Sequence, residues 1–195
     1  SETVLMARSA LWRTVQDEVK DGTVAYGLLR PAPYPLLTIM RFLGEGLAGI
    51  GPIFAIAGSV ALLAVGPLAD ALPGLGAGAV LMAGSLLLSA QMEMLIGLAA
   101  FSMEDVTPLF WIQQKIIFIF GGLFFPLDLY PDGLARILKM LPFAFVCHWP
   151  ASVCVRGGSG FPAALAGQAA WIVVLGLLIL AAYRAGIRRI ESQGG

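Results

Sequence analysis

The chain has 195 residues, 58% of them hydrophobic and 12% charged, with no formal net charge and a mean hydropathy of +0.86. Soluble domains of this length carry roughly a quarter charged residues, so the composition argues against a water-soluble fold and for an integral membrane protein. The neutral balance leaves no basic footprint for nucleic acid, and two cysteines with one histidine make neither a disulfide framework nor a metal-ligand pattern.

Residues 1–35 are the most polar part. In ALWRTVQDEVKDG, Leu11, Val15 and Val19 recur at helical spacing, with Arg13, Gln16, Asp17 and Lys20 on other faces. This predicts an amphipathic helix stopped by Gly22. It is too short and too charged to span a bilayer, and suits a membrane surface or a partner. RPAPYP, residues 30–35, predicts a stiff non-helical elbow. A first span is expected from Leu36 to Val65, broken only by Arg41 and Glu45 and free to tilt or kink at Pro52. GPLADALPGLG reads as a loop, and a second span as Ala77 to Phe101, interrupted by Gln91 and Glu93. After the polar turn SMEDVTP, a third span of about 17 residues runs from Leu109 to Phe125, at the short limit for crossing hydrocarbon. Pro126 marks its exit. In PDGLARILKMLPF, Leu134, Ile137, Leu138 and Leu141 share a face, which predicts a helix lying on the outer surface or re-entering the lipid. A fourth span is expected from Phe161 to Tyr183, followed by a basic tail, 184–195.

Four spans put both ends on one side. The head carries Arg8, Arg13, Lys20 and Arg30, the tail carries Arg184, Arg188 and Arg189, and the loop between the first two spans has no Lys or Arg. The positive-inside rule then places both termini in the cytoplasm and the segment 126–160 outside, although Arg136, Lys139 and Arg156 weigh against it. Because the chain starts at Ser1, it is read as a fragment or processed form, with room for further helices upstream.

Few residues offer chemistry. There is no GxxxxGK[ST] stretch for nucleotide, and GEGLAGIG lies inside a span, where small residues favour close helix packing. Gly44, Ala48, Gly51 and Ala55 form one such face. His148 reads as an interfacial polar residue. Cys147 and Cys154, if on one helix, stand about 10 Å apart, too far to bridge. The intramembrane charges are more informative. Arg41 and Glu45 pair at i, i+4. Glu93 and Lys115 sit about 12 and 9 Å from the same end of consecutive spans, so an ion pair between them is expected. Such a pair either locks two helices or belongs to a substrate or proton path.

Two separated motifs carry a resemblance. VKDGTVAYGLLRP places Lys20, Asp21, Gly22, Val24, Ala25, Tyr26, Leu28, Leu29, Arg30 and Pro31 on a pattern of the form iRsGdiayxLlrP. GGLFFPLDLYPDGLARILKMLPFAFVCHWP places Phe125, Pro126, Leu127, Asp128, Tyr130, Pro131, Leu141, Pro142, Phe143 and Pro150 on GxiPldlyPewl…lPF…P. AAFSMEDV is similar to aFWtedv, with Ser102 and Met103 departing. The order and content resemble the ABC-2 family of ATP-binding-cassette transporter permeases, in its viologen-exporter or multidrug-type branch.

The resemblance implies an all-α polytopic bundle of which this chain supplies the last four of six spans. It implies a cytoplasmic coupling segment, 1–35, and a transmembrane permease domain, 36–195. Asp17, Glu18, Lys20, Asp21, Gly22, Tyr26 and Arg30 would meet a separate ATPase subunit, which holds the ATP and magnesium; this chain would hold no cofactor and carry no ATPase site. Phe125, Pro126, Asp128, Tyr130 and Pro131 would form an outer gate. Arg41, Glu45, Glu93 and Lys115 would make an internal polar network. Partners would be the ATPase, a second permease chain, identical or related, and the lipid of the cytoplasmic membrane, with no nucleic acid. The implied activity is export driven by the partner's ATP hydrolysis. An alternative is an ion- or proton-coupled carrier that uses Glu93.

Overall fold

The computed structural model describes residues 11–23, 33–46 and 72–193. Every regular element among them is helical. Helix α1 is Leu11–Lys20, α2 covers residues 34–46, α3 is Leu72–Leu98, continued by a 3-10 turn Ala99–Phe101, and α4 is Thr107–Phe120. A 3-10 turn, Leu127–Leu129, leads to α5, Asp132–Met140, α6, Pro142–Val146, α7, His148–Val155, and α8, Phe161–Gln193.

The frame is the pair α3 and α8. Gly74–Phe101 and Phe161–Arg188 are the two helices among the described residues that are long and apolar enough to cross a membrane. Their contacts advance together. Leu81 packs with Ala164, Gln91 bonds Ile172, Leu98 clusters with Ile179, and the Phe101 ring lies over Gly186. The two helices therefore run parallel, with their first residues at one end and Phe101 and Gly186 at the other. Residues 72–76, expected in a loop, already belong to α3. Pro73 is compatible because a proline in the first helical turn gives up no intrahelical hydrogen bond. The tail is likewise not a separate segment: α8 continues through it to Gln193.

Helix α1 ends as expected at Gly22, whose φ of +72° continues no right-handed helix. Its packing is deeper than a surface helix requires. Leu11, Trp12 and Val15 are almost wholly buried, and Leu11 and Val15 share a core with Tyr34, Ile39 and Phe42 of α2, Ala90, Met94 and Leu98 of α3, and Ile179 of α8. Gln16, assigned by spacing to a polar face, is buried too. The proline elbow is narrower than expected, because α2 already begins at residue 34 and Pro35 falls in its first turn. The first span beyond residue 46, and Gly51, Ala48 and Ala55 with it, lies outside the described residues.

The third span differs most. Helix α4 stops at Phe120, not Phe125, so its 14 residues reach only about 21 Å, short of the ~30 Å hydrocarbon core. The break comes from Gly121–Gly122 rather than Pro126. A Cβ on Gly121 would overlap the Ile117 carbonyl and crowd that of Phe143, and Gly122 takes a left-handed φ of +81°. The chain then folds back on itself through α5, α6 and α7.

Candidate functional site: a clamped amphipathic helix and a re-entrant hairpin

The two regions singled out by sequence occupy opposite ends of the α3–α8 frame. Helix α1 lies at the C-terminal end of α3. Val15 sits on Gly97 so closely that an added Cβ would stand 2.7 Å from the Val15 Cβ. Cys154 of α7 lies on Gly74 and Gly78. At 1.5 Å per residue, about 28 Å of helix separates Gly78 from Gly97.

Two polar clips fasten α1. The Leu11 N–H donates to Glu93 Oε2 at 2.9 Å, and the Val106 N–H donates to Gln16 Oε1 at 2.8 Å. The first pairs a backbone N–H of α1 with the buried Glu93 carboxylate, a charge-assisted hydrogen bond. The second supplies an acceptor at the N-terminus of α4, whose own flanking Val106 has no side chain able to cap it. Trp12 stacks on Phe110 with ring centroids 4.8 Å apart. The expected Glu93–Lys115 ion pair is absent among the described residues. Glu93 is buried beneath α1, whereas Lys115 is exposed on the opposite side of α4. There it joins Trp111, Ile112, Ile116, Ile119 and Phe120 along a shallow groove of about 310 Å³. Helical spacing revealed both charges but not the element laid over one of them.

The outward face of α1 presents Arg13, Asp17 and Lys20, with Asp21 and Gly22 exposed just beyond it. Glu18 differs, since its Oε2 accepts the Tyr34 hydroxyl at 2.5 Å. It ties α1 to α2. Tyr26 and Arg30 lie outside the described residues. Arg41 and Glu45 form the expected i, i+4 pair at 3.2 Å, on an exposed face of α2.

At the other end the hairpin enters the bundle. The Phe145 carbonyl of α6 accepts from Ser85 Oγ at 3.0 Å and Gln168 Nε2 at 3.2 Å. Ser85 lies about 20 Å along α3 from its first residue, so α6 reaches well into the α3–α8 frame. Irregular backbone at such depth must find its hydrogen bonds within the protein, and the polar residues of the apolar helices serve that need. Gln168, only 1% exposed, also donates to the Leu81 carbonyl at 2.9 Å, and its amide fills the space left by Gly84. The indole of Trp149 donates to the Lys139 carbonyl at 3.0 Å, and that of Trp171 to the Met140 carbonyl at 2.9 Å. These are orphan carbonyls at the end of α5. Ser85, Gln168 and Trp171 were not singled out from sequence. The available signal was an isolated glutamine or serine within an apolar run.

Among the expected gate residues, Phe125 and Pro126 are exposed, Tyr130 packs beside buried Leu127, Leu138 and Ala144, and Pro131 precedes α5. The buried face of α5 is Ala135 and Leu138, while Leu134 and Ile137 remain exposed. Asp128 gathers two cations of the hairpin: Lys139 Nζ is 2.6 Å from Oδ1 and Arg156 3.6 Å from Oδ2. The Lys139 hydrogen bond holds the Asp128 carboxyl below its usual range. Burial lowers the pKa of nearby His148, against the opposing pull of Asp128. Both cysteines are free thiols, with Cys147 at the break between α6 and α7. No group of metal-binding side chains occurs among the described residues.

The family model described as ABC-2 family transporter protein covers residues 2–194. No curated protein and no solved structure matches the chain. Proteins of this family are polytopic helical membrane subunits that generally work with ATPase subunits and typically lack an ATPase domain of their own. With a match over nearly its whole length and two long apolar helices forming its frame, the chain belongs to the ABC-2 family of transporter membrane proteins.

Proposed function

We propose that the chain is the permease subunit of an ATP-driven exporter, docking its ATPase through α1 and gating the outer end of the path with the 126–160 hairpin. The observation that carries this reading is polarity. A helix with a charged outward face is clamped at one end of the α3–α8 frame, and a re-entrant hairpin occupies the other. Asp17, Lys20 and Asp21 with Gly22 are the exposed groups for ATPase contact, and Tyr26 and Arg30 extend the same segment in sequence. Glu18, engaged by Tyr34, holds α1 in place instead. Charge supports a cytoplasmic assignment for the α1 end, where Arg13, Lys20, Arg184 and Arg188 collect. At the hairpin end, Asp128 pairs with two of the opposing cations and offsets one of their charges.

Two permease chains would line one path, and ATP binding on the partner would shift populations between inward-open and outward-open states. The carrier alternative drew on Glu93, and that carboxylate is already occupied by the Leu11 N–H. The test is co-purification from detergent of the protein with the candidate ATPase. The native chain should retain the ATPase and Asp17→Ala/Lys20→Ala/Asp21→Ala should lose it at unchanged yield. A correctly folded native chain that retains none overturns the reading.

A further inference from the structure

We propose that the exposed face of α4 is a cargo-binding wall and that its cargo is an amphiphilic organic anion. The apolar body of the cargo lies on Trp111, Ile112, Ile116, Ile119 and Phe120, and its acidic head meets Lys115. The inference names the substrate class of the exporter proposed above and rests on that reading.

Lys115 is the ninth of the 14 residues of α4, so about 12 Å of helix precedes it and about 8 Å follows. Helical side chains lean toward the N-terminus of their helix. The lysine stem is therefore aimed into the longer stretch and away from the nearer end, a poor arrangement for snorkelling to the membrane surface. Gln113 and Gln114 directly precede it. With roughly 100° between successive residues, the three form a polar belt that passes from the packed side of α4 to its exposed side. Gln113 Oε1 is shut away from solvent, Gln114 is half-buried and Lys115 is exposed. A surface turned to lipid tails does not suit an ammonium at mid-helix, and ionisable groups at such depth face the bundle interior or a water-filled cavity. The Lys115 face therefore belongs to a wetted path. Glu93, the acid that the sequence offered as its partner, is turned instead to the Leu11 N–H.

The form of that face selects the cargo. Trp111 and Ile119 stand four residues on either side of Lys115, with Ile112 and Ile116 along the adjacent row, so the side chains share one stripe. Together with Phe120 they line the groove of about 310 Å³, in which five side chains are apolar and the sixth is the ammonium. That volume is at the lower end of small-molecule sites. An amphiphilic anion gains from both parts of the wall, apolar contact for its body and an opposite charge for its head. A neutral amphiphile with the same body gains the apolar contact alone. A cation meets like charge, in surroundings whose low polarity enlarges attraction and repulsion together. Lysine is a compact point charge with three donors rather than a planar fork. The wall therefore calls for an anionic head and accepts carboxylate, sulfonate or phosphate alike.

The test uses the complete transporter with its ATPase in lipid nanodiscs and three probes that share one body: pyrenebutyrate, pyrenebutanol and pyrenebutyl-trimethylammonium. Binding is read from pyrene fluorescence after subtraction of empty nanodiscs, and turnover from stimulated ATP hydrolysis. Pyrenebutyrate should bind and stimulate the native complex at a concentration at least about tenfold below that of the trimethylammonium probe, the scale of a hydrogen bond to a charged group. Lys115→Gln should raise that concentration about tenfold and leave pyrenebutanol unchanged while the ATPase still co-purifies, and Lys115→Arg should restore it. No response to pyrenebutyrate, or an equal response to the three probes, overturns the inference. So does an undiminished response in Lys115→Gln, a loss shared equally by pyrenebutanol, or no recovery in Lys115→Arg. Binding that depends on Lys115 but never stimulates hydrolysis marks an anion site off the path and overturns it as well. In each of these cases the ATPase has co-purified and the exporter reading stands. If no ATPase co-purifies with the native chain, that reading fails and this inference falls with it.

Discussion

At the scale of single residues, Glu93 shows how burial redefines a charge. An acid in an apolar helix is costly unless paired or wetted, and here the Leu11 backbone N–H of α1 donates to it. Glu93→Gln keeps an acceptor oxygen for the Leu11 N–H and exchanges a charge-assisted hydrogen bond for a neutral one, about 1 kcal/mol. Glu93→Ala strands a buried N–H and should cost about 1–3 kcal/mol. Thermal unfolding in detergent should therefore order the three as native, Gln, Ala. Export by Glu93→Gln should persist; its abolition at unchanged stability would restore the proton-carrier alternative. Gly97 supplies a second residue-scale prediction. Gly97→Ala drives a Cβ into Val15 and should destabilise by about 1–3 kcal/mol through overpacking. Gly76→Ala meets open space on the same helix and should be neutral or stabilising by up to about 1 kcal/mol.

At the scale of elements, the hairpin depends on side chains borrowed from the helices around it. Ser85 and Gln168 satisfy α6, and the two indoles satisfy the end of α5. His148 gives this element a pH dependence. Burial favours its neutral form, so its folded pKa lies below the ordinary 6.5. Below that value the unfolded chain binds the proton first, and stability falls as pH decreases toward the folded pKa, then levels off. Asp128 has the familiar sign for an acid: its pairing is present at neutral pH and is lost only as pH falls below the usual carboxylate range. Unfolding midpoints measured from pH 8 to pH 5 should decline in the native chain, and the decline should flatten in His148→Phe.

At the scale of the whole molecule, the parallel run of α3 and α8 puts α1, α2 and the tail at one end and the hairpin at the other. Impermeant maleimide applied to intact cells should label Val155→Cys, 86% exposed at the end of α7 in the hairpin. It should reach Asp21→Cys only after permeabilisation. Both reporters belong in a Cys147→Ala/Cys154→Ala background. Labelling of both positions in intact cells would overturn the proposed orientation.

The sequence alone established the membrane class, the approximate positions of α1, α3 and α8, the glycine that stops α1, and an amphipathic helix after Pro126, but it put the end of the third span at Phe125 rather than Phe120. These are local or compositional properties, set by apolar run length, helical period and the conformations open to glycine and proline. The family motifs were equally legible, being short and contiguous. Tertiary structure decided the rest. Whether Glu93 faces Lys115 or the Leu11 N–H of α1, whether Gln16 lies in water or against Val106, and how deeply α6 enters all depend on residues sixty or more positions apart. Periodicity assigns a residue to a face of its own helix, and only packing determines which distant backbone group that face meets.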